Sequence, residues 1–316
     1  FAAARAPAPA FAISAPLAGP WQADAFATLG PEVRTRTDDR WLYIESDGMP
    51  HALKDHVMMV GITAWQQQVP LPQPYTGSNA WQVPLKPELA DQPIDGRKFL
   101  RRGAVAIAVD GIPIFNALNN RGEDSLAIGE LDRFGGHCGR ADDYHYHAAP
   151  LALQQLVGMD KPIAFALDGF PVYGLFDPKA KAGSPQACPL GGTDPLDQWN
   201  GHFCDTPAAN AQLPGTRGYH YHASKTFPYI NGGMRGKVTV EDDQVVPQPR
   251  ANPVRPSLTA LRGAAITGFR QAGPKAWALT YTLGGKEHRV EYAIEADGKY
   301  RFNFVSPDGT AKTETY

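Results

Sequence analysis

Cysteine is scarce in this chain: three thiols, Cys138, Cys188 and Cys204, stand among 316 residues. That excludes a disulfide scaffold, and any single disulfide leaves an odd thiol. Cys188 with Cys204 would close a short loop, whereas Cys138 with Cys204 would join equivalent positions of two repeats. Long apolar runs are missing too. Stretches such as Val57 to Ala64 and Ala104 to Val109 fall far short of the roughly 20 residues a bilayer-spanning helix needs. Neither charge sign dominates: 30 basic residues face 32 acidic ones, and no basic stripe stands out, which argues against nucleic acid or an anionic membrane surface as partner. The chain also lacks a Gly-x-Ser-x-Gly elbow, a phosphate-cradling glycine loop and a dinucleotide fingerprint.

Histidine, by contrast, is patterned. The tetrapeptide Tyr-His-Tyr-His occurs as Tyr144-His145-Tyr146-His147 and again as Tyr219-His220-Tyr221-His222, each preceded by a Gly-His element, Gly136-His137 and Gly201-His202. Six of the nine histidines therefore fall into two matching sets of three. Side chains alternate along an extended strand, so His145 and His147 project together, as do His220 and His222. Two imidazoles from one strand and a third from a neighbouring segment can converge on a metal ion.

The repeats run deeper than the histidines. Asp-Gly-apolar-Pro appears at Asp47, Asp110 and Asp168, and the last two copies follow apolar runs and precede further apolar residues, the pattern of a hairpin with Asp-Gly at the positive-φ turn positions. Leu131 to Cys138 then aligns with Leu196 to Cys204. Two related halves result, about 103–150 and 162–224, and a pseudo-twofold β architecture with the histidine strands near each other is the simplest packing.

Around this body, residues 21–246, the organisation is plain. Residues 1–20 are an Ala/Pro-rich lead expected to be flexible. They lack a basic start followed by an apolar block, and are read as a mature terminus rather than an intact signal peptide. Residues 247–256 form a proline-rich linker, and 257–316 a small α+β domain. In that domain Ser257 would cap a helix carrying Leu258, Leu261, Ile266 and Phe269, followed by an antiparallel meander with turns at Gly284-Gly285 and Asp297-Gly298. The fold class is thus mostly β. His288 in the meander reads as a surface strand residue and His56 as structural.

The two tetrapeptides, Gly48-Met49-Pro50-His51, the segment Asp168 to Gly174, Phe227-Pro228-Tyr229 and Gly232-Gly233-Met234 together resemble bacterial YHYH-domain proteins over roughly residues 40–240. The resemblance implies export from the cytoplasm and a metal site. Low cysteine with 29 prolines and 12 tyrosines agrees with a periplasmic or secreted location.

The expected ligands are His137, His145 and His147 in one set and His202, His220 and His222 in the other, with His51 as an extra ligand or outer donor. The number and nuclearity of the sites stay open. Copper is the expected metal, because Cu(II) tops the divalent affinity order, and zinc is the alternative with the same ligands. A free Cys138 would favour copper further, since two histidines and a thiolate make an electron-transfer centre. Asp132, Asp197, Asp142 and Asp143 are candidate acceptors that fix imidazole tautomers, with ordinary turn roles as the other reading. Tyr144, Tyr146, Tyr219 and Tyr221 would pack on the opposite strand face. The functions this allows are a copper-dependent redox enzyme, a zinc-dependent hydrolase, an electron-transfer or copper-handling protein, or a structural or binding module whose histidines make no metal contact; the substrate or redox partner is not legible.

Overall fold

The computed structural model describes residues 20–53, 67–177, 179–181, 187–256, 258–259 and 261–316. The lead (1–19), His56 and Ser257 lie outside the described residues. No described helix is long and apolar enough to cross a membrane.

The described residues open with a short helix α1 (Trp21–Phe26) and a three-stranded antiparallel sheet of β1 (Arg34–Thr37), β2 (Trp41–Glu45) and β3 (Trp81–Pro84). β4 (Leu89–Asp95) follows. The first repeat then supplies β5 (Ala104–Ala108), β6 (Pro113–Phe115), β7 (Gly136–Cys138) and β8 (Tyr144–Tyr146). After helix α2 (Leu151–Val157), the second repeat supplies β9 (Ala164–Ala166), β10 (Pro171–Leu175), β11 (Gly201–His202), helix α3 (Pro207–Gln212) and β12 (His220–Ala223). β13 (Gly233–Gly236) pairs with β4, and β14 (Thr239–Glu241) with β15 (Gln244–Val246).

Both repeats build one eight-stranded sheet in the order β11-β12-β10-β9-β5-β6-β8-β7. Each half carries the same pairings, antiparallel, parallel, antiparallel, from its central strand outward. The halves meet where β5 pairs antiparallel with β9. Ile107 pairs with Phe165, each three residues before the Asp-Gly of its own repeat, while Ala106 and Ala108 pair with Ala166 and Ala164. Equivalent residues face each other there, so a pseudo-dyad passes through the Ile107/Phe165 pair. All five residues of β5 are buried, the near-continuous apolar run of a strand covered on both faces. On one face α1 lays Trp21 and Phe26 against Phe165, with ring centroids 5.5 Å apart in each case.

The pseudo-twofold is as expected, but the histidine strands are not neighbours. Four strands, β10, β9, β5 and β6, lie between β12 and β8. At about 4.8 Å per strand step, β8 and β12 stand roughly 24 Å apart. The reason is that each half joins the other through its central strand, which sends both histidine strands toward opposite edges.

The C-terminal sheet is five-stranded and antiparallel: β16 (Ala265–Gly273), β17 (Ala276–Leu283), β18 (Lys286–Ile294), β19 (Tyr300–Val305) and β20 (Ala311–Thr315), in sequential order. The meander is there; the helix is corrected to a strand. Ile266 and Phe269 sit in β16, paired with Tyr281 and Leu279. Helical propensity is weak across three glycines, Gly263, Gly268 and Gly273, and a free edge of β17 offers a ladder of backbone partners. His288 lies half-buried in β18 with its ring stacked on Tyr281 at 5.0 Å.

The proline-rich stretch 247–256 packs on the body. The Gln248 side chain accepts from the Ala104 amide, and Arg255 is buried, bonding both Asp142 carboxylate oxygens at 2.8 Å while its guanidinium lies 4.6 Å over the Phe302 ring. Tyr292 of β18 donates to the Pro70 carbonyl at 2.7 Å. The C-terminal sheet is thereby fastened to the turn that leads into His145.

Candidate metal centres

Alternation in β8 and β12 separates the two residue types of the tetrapeptide. The tyrosines go to one side and anchor aspartates. Tyr144 and Tyr219 donate to Asp132 (2.8 Å) and Asp197 (3.0 Å), and Tyr146 and Tyr221 donate to Asp110 (2.9 Å) and Asp168 (2.6 Å). All four rings are essentially buried. The same aspartates cap turns: Asp132 accepts from the Phe134 and Gly136 amides, and Asp197 from those of Trp199 and Gly201. In the Asp-Gly-x-Pro turns only the glycine takes a positive φ, +79° at Gly111 and +94° at Gly169, while Asp110 and Asp168 accept from the Ile112 and Phe170 amides. Burial raises the carboxyls of Asp110, Asp132 and Asp168 to about 6 against the lowering pull of these hydrogen bonds.

This arrangement explains the glycine of Gly-His. A Cβ on Gly136 would lie 2.5 Å from the Tyr144 hydroxyl, and one on Gly201 2.1 Å from that of Tyr219. The tyrosine must pass over a bare backbone to reach its aspartate.

The histidines go to the other side and converge. In the first set, Nε2 of His137 lies 3.0 Å from Nε2 of His145 and 3.1 Å from that of His147. In the second, Nε2 of His202 lies 2.9 Å from Nε2 of His220, and Cys188 Sγ stands 3.2 Å from His220 Nε2 and 3.6 Å from His202 Nε2. His222 completes that group, its Nε2 buried without a hydrogen-bond partner. Within each group all possible ligand atoms lie within 4.8 Å of one another.

Tautomers follow from the outer ring nitrogens. Every Nδ1 faces a backbone carbonyl, which can only accept: Glu130 (3.3 Å), Asp143 (3.0 Å) and Asn116 (2.5 Å) for His137, His145 and His147. For His202, His220 and His222 the carbonyls are Asp194 (2.7 Å), Gly218 (2.8 Å) and Gly174 (3.1 Å). Nδ1 therefore carries the proton and Nε2 presents a lone pair. In the first set, lone pairs at 3.0 Å with no proton to share repel, unless a cation sits among them. An ion about 2.0 Å from each of several tetrahedrally placed nitrogens would set them about 3.3 Å apart, close to what is found.

Burial keeps the rings of His137, His147, His202, His220 and His222 neutral. Burial, then the neighbouring His145 and His147, hold His137 well below its usual range. His147 is lowered to about 3 by burial and then His145; His220 is lowered to about 3 by burial and then His202. His222 is held well below by burial and its two neighbours, and His202 is lowered chiefly by burial. Neutral imidazoles are the form that binds metal.

The two sets differ in closure. His202, His220 and His222 are 2%, 0% and 1% exposed, with Cys188 as a fourth group. The first set has three groups, and its imidazoles line a cleft of about 310 Å³ together with Phe115, whose ring stacks on His145 at 4.0 Å.

Several expected site residues lie elsewhere. Cys138 follows His137 in β7, so alternation turns its side chain away from the imidazoles into the core, where burial and then Asp142 and Asp143 push its thiol well up. It belongs to neither ligand group. His51 also belongs to neither; its Nε2 bonds the Asp47 carboxylate at 2.8 and 2.9 Å. Asp132 and Asp197 hold tyrosines and Asp142 holds Arg255, so none of the three fixes a tautomer. Asp143 does touch His145, mainly through its carbonyl, with its carboxylate 3.4 Å from Nδ1. Cys188 is the group the sequence reasoning missed; its signal was a cysteine upstream of the second Gly-His with no counterpart in the first half. All three thiols are free of disulfides.

Residues 80–188 match the family described as YHYH protein. The matched span takes in both Asp-Gly turns of the sheet and the first histidine set, and ends at Cys188 before the second set. Over that span the chain is similar to YHYH proteins. Neither a curated protein nor a solved structure matches it.

Proposed function

We propose that this chain is an extracytoplasmic transition-metal protein holding two ions, one in an open three-histidine site (His137, His145, His147) and one in a closed site of Cys188, His202, His220 and His222. The observation that carries the reading is the shared tautomer. Six Nδ1–H groups are spent on backbone carbonyls, which leaves converging Nε2 lone pairs that meet only one another in the first set and one another and the Cys188 thiol in the second.

Copper remains the preferred ion at the open site, with redox chemistry on a small molecule that enters the cleft. Imidazole suits copper, and Cu(II) heads the affinity order. A zinc hydrolase needs a carboxylate base beside the ion. The carboxylates at hand are engaged: Glu130 by Arg121 (2.6 Å) and Asn119 (3.3 Å), Asp143 by the Ala141 amide (3.1 Å). The zinc reading is favoured by one feature, the four-group shell around Cys188, because closed four-coordinate sites are typical of structural zinc. The electron-transfer idea moves from Cys138 to Cys188, the only thiol placed among imidazoles in the described residues.

Elemental analysis of protein from metal-replete cells tests this. About two ions per chain are expected, falling by one when His145 and His147 become alanine, with a paramagnetic Cu(II) signal lost in that variant. Unchanged metal content in the variant contradicts the reading; a silent, zinc-filled open site would select the hydrolase.

A further inference from the structure

The cleft above the first histidine set is strongly one-signed in a chain whose net charge is -2. Four arginines, Arg101, Arg102, Arg121 and Arg140, line it against a single carboxylate, Glu130. Arg121 is committed to Glu130 and Glu123 at 2.6 and 2.5 Å, so that pair is locally neutralised. Among the described residues Arg101, Arg102 and Arg140 have no ion-pair partner. The Arg101 Nε is buried and lacks a hydrogen-bond partner, and Nη2 of the same guanidinium donates to the Arg97 carbonyl at 3.2 Å. Asn119 and Asn120 add polar lining.

We infer that this cleft binds a small oxyanion, a carboxylate- or phosphate-bearing molecule, held by Arg101, Arg102 and Arg140 with one oxygen directed at the three Nε2 atoms. Guanidinium forks match carboxylate and phosphate geometry, and hydrogen bonds between charged partners are about twice as strong as neutral ones. A volume of about 310 Å³ suits a small metabolite rather than a polymer. The inference rests on the reading of His137, His145 and His147 as a metal site, since a bound cation would supply the open position for that oxygen and add to the positive field. The second site is assigned no such role, because Cys188 already stands there as a fourth group beside the imidazoles.

Calorimetric titration of the full chain loaded with Zn(II), and of the same chain stripped of metal, tests it with inorganic phosphate, oxalate and the neutral acetamide as probes. At least one anion binds the loaded protein and acetamide does not. Arg101→Gln and Arg140→Gln each weaken that anion about tenfold, with metal content unchanged. His145→Ala weakens it too, together with loss of one ion. Anion affinity that neither arginine substitution alters, or acetamide binding as tightly as oxalate, overturns the proposal. If the chain holds no metal yet the anion still depends on the arginines, the oxyanion site stands and the metal reading alone falls.

Discussion

At the first histidine set the segment between β6 and β7 brings Asn119, Arg121 and Glu130 to the rim of a cleft; at the second, the segment between β10 and β11 brings Cys188 against the imidazoles. The strands, tyrosines, aspartates and tautomer-fixing carbonyls are otherwise the same in both halves. The sheet thus repeats a histidine-presenting device, and the loop inserted before each Gly-His strand decides whether the imidazoles line a cleft or meet a thiol. On the proposed metal reading, stability and reactivity would divide along that line: a closed shell would contribute folding energy, and an open one would keep a position for exogenous ligands.

The largest expected break in the symmetry is Cys188→Ser. An ion present a thousandfold above its Kd stabilises the fold by about 4 kcal/mol, so weakening the closed site should cost about 2–4 kcal/mol in denaturant titration while the open site keeps its ion. His145→Ala should do the converse, losing an ion with a smaller loss of stability. Equal destabilisation by both would erase the distinction between sealed and open sites.

Arg255→Met acts on one side only. It leaves the buried Asp142 carboxylate without its partner, which should cost about 3 kcal/mol. Because Asp142 precedes Asp143 and His145, metal retention should drop at the first site and hold at the second. Loss at both sites would mean that the C-terminal sheet supports the whole body rather than that turn.

Acid should attack the metal-free protein at both sets. His147 and His220 are depressed to about 3 in the fold and titrate near 6.5 when unfolded, so their contribution is complete above pH 6.5 and is lost as pH falls toward 3. At pH 5 each would have given up about 2 kcal/mol. Stability of the stripped protein measured between pH 8 and 5 should fall accordingly, and a His220→Phe variant should fall less steeply; identical slopes would argue against buried neutral imidazoles.

The smallest effect belongs to the tyrosine face. Tyr146→Phe and Tyr221→Phe should each cost about 1–2 kcal/mol by leaving Asp110 or Asp168 short of a donor, with metal content intact in both. Metal loss in either would give the tyrosines a part in the site beyond anchoring.

Much of the candidate site was legible because it rests on local strand geometry. Alternation along a strand places His145 beside His147 and His220 beside His222 whatever the tertiary structure, and repeated Gly-His elements point to a third imidazole. The same rule, applied to β7, sends Cys138 away from His137; reading the pair as neighbours in sequence hid that. Cys188 was not legible, because a loop residue's position depends on the path of the chain and not on a local period. Nor was the distance between the sets: strand order arises from which edges meet, and the Ile107/Phe165 pairing that fixes it looks like any other apolar pair. The C-terminal meander declared itself through alternating residues and glycine turns. Its first strand did not, since Leu261, Ile266 and Phe269 fit a helical spacing loosely, and sheet pairing to β17 overrode it.

Anomalous diffraction from crystals of the metal-replete protein, collected above and below the copper and zinc edges, tests the central claim most directly. The account predicts two separate peaks on opposite sides of the pseudo-dyad, roughly 24 Å apart by strand count. One would be bonded to Nε2 of His137, His145 and His147, the other to Cys188 Sγ with His202, His220 and His222. Imidazoles surrounding only water, with no anomalous density at either set, would contradict it.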